Sequence, residues 1–322
     1  MGSFHPFDEF SRRRFVGGGA ATLLLPSAIA RAQDVKPTTP EAEKIAAATD
    51  LNNHLTIPVM IGGKGPFRFV VDTGADRTVV SDEVAVALGL IRGPIVNVEG
   101  VVRSVSAQTV TLSDISFGPV RKEHLVVPIL PRALLGADGY LGLDTVDGYR
   151  VTFDFRNHAL LIAETHHPAM FDLTRPNEVV VSVVGRGGHL RAMNCRVDGV
   201  PTTTFIDSGA EVSVGNSALF DSLLDRDPAY MTLQTVMLSG VTGGTIAGRV
   251  TDLNRIKIDK ISLYSTKIVI SDLQIFSLWG LNDKPALLIG MNFLRAFDQV
   301  SIDYGRKELL FELASLQIAE RA

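Results

Sequence analysis

Phe69-Val70-Val71-Asp72-Thr73-Gly74-Ala75 decides how this chain is read, because Phe205-Ile206-Asp207-Ser208-Gly209-Ala210 repeats its pattern about 135 residues later. In each case an apolar, β-like run leads into Asp, a hydroxyl residue and Gly, and a short helical stretch follows. One such triplet is a common turn sequence. Two, each embedded in a longer matching unit, point to a pair of carboxylates brought together at one site.

The matching unit extends well beyond the triplets. Val110-Thr111-Leu112-Ser113-Asp114-Ile115-Ser116-Phe117 has its apolar positions echoed in Ile256-Lys257-Ile258-Asp259-Lys260-Ile261-Ser262-Leu263. His124 to Val127 answers Lys267 to Ile270. Gly139-Tyr140-Leu141-Gly142-Leu143-Asp144 answers Leu287-Leu288-Ile289-Gly290-Met291-Asn292. Val151-Thr152-Phe153-Asp154 answers Val300-Ser301-Ile302-Asp303, and both halves close on an apolar pair, Leu160-Leu161 and Leu309-Leu310. The order of elements is the same in both halves, so the expectation is two homologous lobes.

These motifs resemble those of the retropepsin-like aspartic peptidases, with two units fused in tandem over residues 50–315. Asp72-Thr73-Gly74-Ala75-Asp76-Arg77-Thr78-Val79-Val80 is similar to the retroviral form of the first motif, and Tyr140-Leu141-Gly142 and Leu288-Ile289-Gly290 are similar to the second. The resemblance implies an all-β, two-lobed acid-protease fold with short helices. It implies Asp72 and Asp207 as the catalytic dyad, supported by Thr73, Gly74, Ser208 and Gly209. The hydroxyls of Thr73 and Ser208 would bond across to the opposite lobe. Ala75, Asp76, Ala210 and Glu211 are implied as substrate contacts. Two stretches match the family's flaps, Val96 to Arg103 with Gly100 and Leu238 to Gly244 with Gly243. The flap tyrosine of pepsin-like members has no equivalent in either, and Asp144 and Asn292 stand in the region where retroviral members carry a paired Arg.

The chemistry explains the residue types. Hydrolysing an amide without a metal or a covalent intermediate takes a base and an acid acting on one water and one carbonyl. Two adjoining carboxylates cannot both ionise, so they share a proton and divide the roles. The expected activity is therefore an aspartic endopeptidase acting on an extended polypeptide, needing no cofactor and no metal, with one chain supplying both half-sites as a monomer. The alternative from another class is a non-catalytic periplasmic peptide-binding or scaffold protein on the same fold. The intact pair of Asp residues favours the enzyme. A third reading, metal-dependent hydrolysis through His166-His167, lacks further ligands nearby in sequence.

Ser11-Arg12-Arg13-Arg14-Phe15-Val16 resembles a twin-arginine export signal. It leads into an apolar, Gly-containing stretch and then Ala30-Arg31-Ala32, which predicts a mature start at Gln33 and a periplasmic or secreted protein. No later stretch is apolar for long enough to span a membrane. Loss of residues 1–32 moves the net charge from −4 to about −6, which disfavours nucleic-acid binding. Cys195 is the only cysteine and reads as a small buried residue. No Gly-x-Ser-x-Gly elbow is present, and Gly185-Arg186-Gly187-Gly188 reads as a hairpin turn.

The expected organisation is a signal peptide over 1–32, a linker with a short helix over 33–50, a first lobe over 51–165, a linker over 166–177 and a second lobe over 178–322. The helix is expected at residues 39–49. A hairpin turning at Gly62 to Pro66 delivers Asp72, and Ser81 caps a short helix ending near Gly89. A hairpin from Glu178 to Val197 is followed by another, turning at Asp198-Gly199, which delivers Asp207.

Overall fold

The computed structural model describes residues 43–49, 55–165, 178–186 and 189–313. The signal-like segment, the linker over 166–177 and the Gly187-Gly188 turn lie outside the described residues.

The base of the fold is an antiparallel run of six strands in the order Glu43–Ala46, Ala159–Glu164, Tyr149–Asp154, Gln299–Asp303, Glu308–Glu312 and Glu178–Arg186. At its centre the repeated Val-Thr-Phe-Asp and Val-Ser-Ile-Asp segments pair with each other, Val151 opposite Ile302 and Phe153 opposite Val300. The hydroxyls of Thr152 and Ser301 meet there at 2.7 Å. Alternation puts Val151, Phe153, Leu160, Ile162, Val300, Ile302, Leu309 and Phe311 into the core. One apolar cluster thus runs through both lobes.

Glu43–Ala46 is a strand where a helix was expected, and Ala48–Thr49 pairs with the strand Leu55–Ile61. Glu, Lys and Ala favour helix locally. The open edge of Ala159–Glu164 overrides that preference, capturing the segment by backbone pairing and burying Ile45.

Each lobe repeats one arrangement. The strand delivering the first motif, Lys64–Val71 or Thr203–Ile206, lies parallel to the strand of the second, Gly139–Leu141 or Ala286–Ile289. A short strand follows the first motif, Val79–Ser81 or Val214–Gly215, and inserts between the second motif and a long strand, Val120–Leu130 or Ile261–Ile270. A helix comes next. Ser81 Oγ accepts from Val84 N at 3.2 Å to cap Asp82–Ala87, and Asn216 Oδ1 accepts from Leu219 N at 3.0 Å to cap Ser217–Arg226.

The registers correct two of the sequence alignments, that of the Val110 run and that of His124 to Val127. Val80 sits opposite Ile129, and Gly215 opposite Ile270. The hairpins close at Phe117–Val120 and Ile258–Ile261. The counterpart of Val110 to Phe117 is therefore Thr251 to Ile258, not Ile256 to Leu263. His124 corresponds to Ser265, and both have positive φ, 53° and 51°. The broken alternation of apolar residues recurs further along the second lobe, so pattern alone does not fix the register.

Candidate active site

Both Asp residues sit where a strand ends against the second motif of its own lobe. Asp72 N donates to Leu141 O at 3.0 Å, and Asp207 N to Ile289 O at 2.9 Å. The chain then turns, and each carboxylate accepts from the Gly two residues on: Gly74 N to Asp72 Oδ1 at 2.8 Å and Gly209 N to Asp207 Oδ1 at 2.8 Å.

The loops are locked to each other from below. Thr73 N donates to Ser208 Oγ at 3.1 Å, and Ser208 N to Thr73 Oγ1 at 2.9 Å. Each hydroxyl also donates across the lobes, Ser208 Oγ to Val71 O at 2.8 Å and Thr73 Oγ1 to Ile206 O at 3.4 Å. Thr73 and Ser208 are buried, so these bonds form away from water. Gly74 faces Asp207 and Gly209 faces Asp72, close enough that a Cβ on either would overlap the opposite carboxyl group.

This contact sets the electrostatics. Burial first, and then the charge of Asp207, push Asp72 well above the ordinary carboxylate range. The N–H groups of Gly74 and Ala75 pull the other way, and a hydrogen bond with the Asp207 side chain adds to the rise. Such a pair holds one proton between two carboxyl groups and titrates as a unit.

A second set of residues braces the loops; of these, the sequence marked Asp144 and Asn292 only as a departure from the expected Arg. Thr78 donates to Asp144 from its N–H at 2.9 Å and its hydroxyl at 2.7 Å, and Thr78 Oγ1 accepts from Gly142 N at 3.1 Å. Ser213 donates likewise to Asn292 Oδ1, at 2.8 Å from both N–H and hydroxyl, and accepts from Gly290 N at 3.0 Å. The backbone N–H groups of Asp144 and Asn292 donate to Asp76 O and Glu211 O. The signal was present in both halves: Thr or Ser after each first motif, and Asp or Asn just after each second one.

The two braces differ in charge. Burial raises Asp144 above the ordinary carboxylate range, against the lowering by its Thr78 bonds. A raised folded value means that the native state favours the protonated form. Its contribution to stability is present at acid pH and lost as pH rises through that value. Asp144→Asn copies the arrangement of Asn292, keeps both Thr78 bonds and removes a partly buried charge. The expected result is a melting temperature roughly 1–2 °C higher at neutral pH, a gain kept small because the carboxylate is partly open to solvent, and one that disappears in acid. Melts across pH check this, and an unchanged or lower value at neutral pH would count against it.

Above the dyad lies a cavity of about 950 Å³. Asp72, Gly74, Ala75, Asp76, Gly100, Asp207, Gly209, Ala210 and Glu211 all line it. Thr73 and Ser208 lie beneath. Gly243 is not among the lining residues and packs against Arg103 and Leu134. The roof is two hairpins, Arg92–Val98 with Val105–Phe117 and Thr232–Ser239 with Thr245–Ile258. Their tips interlock: Thr242 Oγ1 donates to Arg103 O at 2.7 Å, and Arg103 Nε to Thr242 O at 3.1 Å. Val101 of the first tip packs on the second lobe's apolar cluster, and Val241 of the second tip on the first lobe's.

Other sequence candidates lie away from this site. Cys195 is buried in the strand Cys195–Val197, and burial pushes its thiol up to about 11, which keeps it protonated. Among the described residues no three His, Cys, Asp or Glu side chains are grouped to hold a metal. His166-His167 lies outside the described residues. Among the described residues no helix is long and apolar enough to cross a membrane.

The family described as Aspartyl protease matches residues 57–145 and 193–293 of the chain, one match in each lobe. No curated protein matches the chain.

Proposed function

The chain belongs to the aspartyl protease family, and from that premise we propose that it is an aspartic endopeptidase cleaving extended polypeptides. The observation that carries the proposal is the crossed pair of loops, with Thr73 and Ser208 exchanging hydrogen bonds so that Asp72 and Asp207 face one another under a roofed cavity. The ionised carboxylate takes a proton from water as the water attacks the peptide carbonyl. The protonated carboxyl group donates to the carbonyl oxygen. The carboxyl group that took the water's proton passes it to the amine nitrogen as the C–N bond breaks, and the other carboxylate takes a hydroxyl proton back from the tetrahedral diol as its C=O re-forms, so the dyad is again singly protonated. Both half-sites lie on one chain, so a monomer suffices. Incubation of residues 33–322 with a denatured protein at mildly acidic pH tests the activity. Internal fragments, unaffected by a chelator, are the expected result, and an intact substrate at every pH from about 3 to 7 contradicts it.

The hairpin roof must part to admit a polypeptide and close to exclude water. Gly243 and Gly244 have φ of 79° and 82° in the second tip. In the first, a Cβ on Gly100 would lie 2.1 Å from Thr242 Oγ1. Gly243→Val with Gly244→Val, or Gly100→Val alone, is therefore expected to lower kcat/KM for a long peptide at least about tenfold, with a much smaller effect on stability. Kinetics beside thermal melts decide this. Unchanged kinetics in both variants would remove the gating role.

For the N-terminal segment we propose twin-arginine export with loss of residues 1–32, on the strength of Arg12-Arg13 and the Ala30-Arg31-Ala32 site. Replacing Arg12 and Arg13 by Lys is expected to leave the precursor in the cytoplasm. Normal export of that double variant overturns the dependence.

A further inference from the structure

The two halves of the cavity are built from equivalent elements carrying different side chains. Two residues before the Asp, the first lobe has Val70, 1% exposed, and the second has Phe205, half-buried and lining the cavity. The short helices beside the cavity, Arg132–Leu135 and Gln274–Leu278, end on Gly136 in the first lobe and on Trp279 in the second. Trp279 stacks on Phe205 with ring centroids 4.0 Å apart and planes at 28°. Phe276 braces it from the side, edge to face at 6.4 Å. The first lobe's cavity aromatic, Tyr140, is 2% exposed and donates its hydroxyl to Leu135 O at 3.2 Å, so almost none of its ring is open. Open aromatic surface therefore meets the cavity from one side of the dyad only.

We infer that the cavity is asymmetric in its substrate preference: the second-lobe side selects an aromatic substrate side chain, with Trp279 as the specificity-determining residue. The inference rests on the peptidase reading and narrows it. Aromatic pairs gain from offset-stacked or edge-to-face contact beyond the area they bury, and an aliphatic side chain does not share that gain. The stacked Phe205–Trp279 pair offers such a face, rigidly held, while Val101 of the first hairpin tip packs over the same cluster. On the first-lobe side the lining is aliphatic, with Leu134 exposed beside the buried Val79 and Leu130, and it discriminates by size alone.

The test separates binding from turnover. Non-cleavable hydroxyethylene peptides are compared in pairs that carry Phe or Leu on one side of the central isostere, and then on the other. Trp279 is the only tryptophan, so its own emission reports occupancy. The expected result is that Phe binds about five- to tenfold more tightly than Leu on one side only, with an emission change on binding. Trp279→Leu should abolish that preference, read by calorimetry, by weakening the Phe peptide about five- to tenfold more than the Leu peptide. Trp279→Phe should restore most of it, which a merely structural loss would not do. Equal binding of the Phe and Leu peptides, or a preference that survives in Trp279→Leu, overturns the inference. Binding with the expected preference but no cleavage of the matching amide peptides overturns the peptidase reading and leaves this one standing. Binding of no peptide overturns both.

Discussion

Asp72→Asn and Asp207→Asn are each expected to leave a folded protein whose kcat is lower by about a thousandfold or more. In the proposed mechanism the two carboxyl groups perform different halves of one proton exchange, so neither substitution is compensated by the surviving partner. The fold is expected to hold because the carboxamide oxygen of Asn can still accept from Gly74 N or Gly209 N, and the Thr73–Ser208 exchange beneath is untouched. Stability should respond in the opposite direction to activity. The folded-state value of Asp72 is raised, so the protonated dyad contributes stability at low pH that is lost as pH rises through that value. The wild-type melting temperature should therefore fall across that window, together with activity, as the acid member of the pair is lost. The Asn variants carry no second buried charge and should melt higher than wild type on the alkaline side. Turnover measurements and melts over the same pH series check both halves. Near wild-type turnover in either variant would sink the shared-proton mechanism.

The candidate site was legible because its loop geometry depends on short-range sequence. A carboxylate, a hydroxyl and a Gly must stand in consecutive positions after a strand, and the chain shows that arrangement twice. Thr73 and Ser208 could be read as a matched pair because only their hydroxyls matter to the exchange. What stayed hidden depends on tertiary partners. The Val151 and Val300 segments were matched as repeats, but equivalence does not say that two copies pair with each other at the centre of one sheet. Residues 43–46 carry helix-favouring side chains and became a strand because an unpaired edge lay beside them. The long hairpin of the second lobe was read in a shifted register, since its broken alternation recurs along the strand. Arg103 and Thr242 lie in different lobes, and nothing local in either segment announces their exchange of bonds. Asp144 and Asn292 were visible as a departure from the expected Arg. Their work became clear only when Thr78 and Ser213 appeared beside them.

Gly74→Ala and Gly209→Ala should each damage the Asp of the opposite lobe rather than their own. A Cβ on Gly74 would lie 2.6 Å from Asp207 Cγ and 2.7 Å from its Oδ1. A Cβ on Gly209 would lie 2.5 Å from Asp72 Cγ. Flexible side chains can usually yield to such an intrusion, but these cannot easily do so. Asp207 Oδ1 is held by Gly209 N, Asp72 Oδ1 by Gly74 N, and both loops are tied at Thr73 and Ser208. Either a carboxyl group leaves its place or the two loops part. A displacement of about 1 Å in a reacting group costs on the order of 10²-fold in rate, so each variant is expected to lose about that factor in kcat/KM while keeping both Asp residues. A pH profile distinguishes this from general unfolding. Loosened contact weakens the upward push of Asp207 on Asp72 while burial persists, so the alkaline limb of activity should move to lower pH. Loss of folded enzyme would instead scale the whole profile down without moving it. Wild-type activity with an unmoved alkaline limb in both variants would mean that the loops have more room than their crossed contact allows. The reason for Gly at the third position of each motif would then have to be sought in the turn rather than in the opposite lobe's carboxylate.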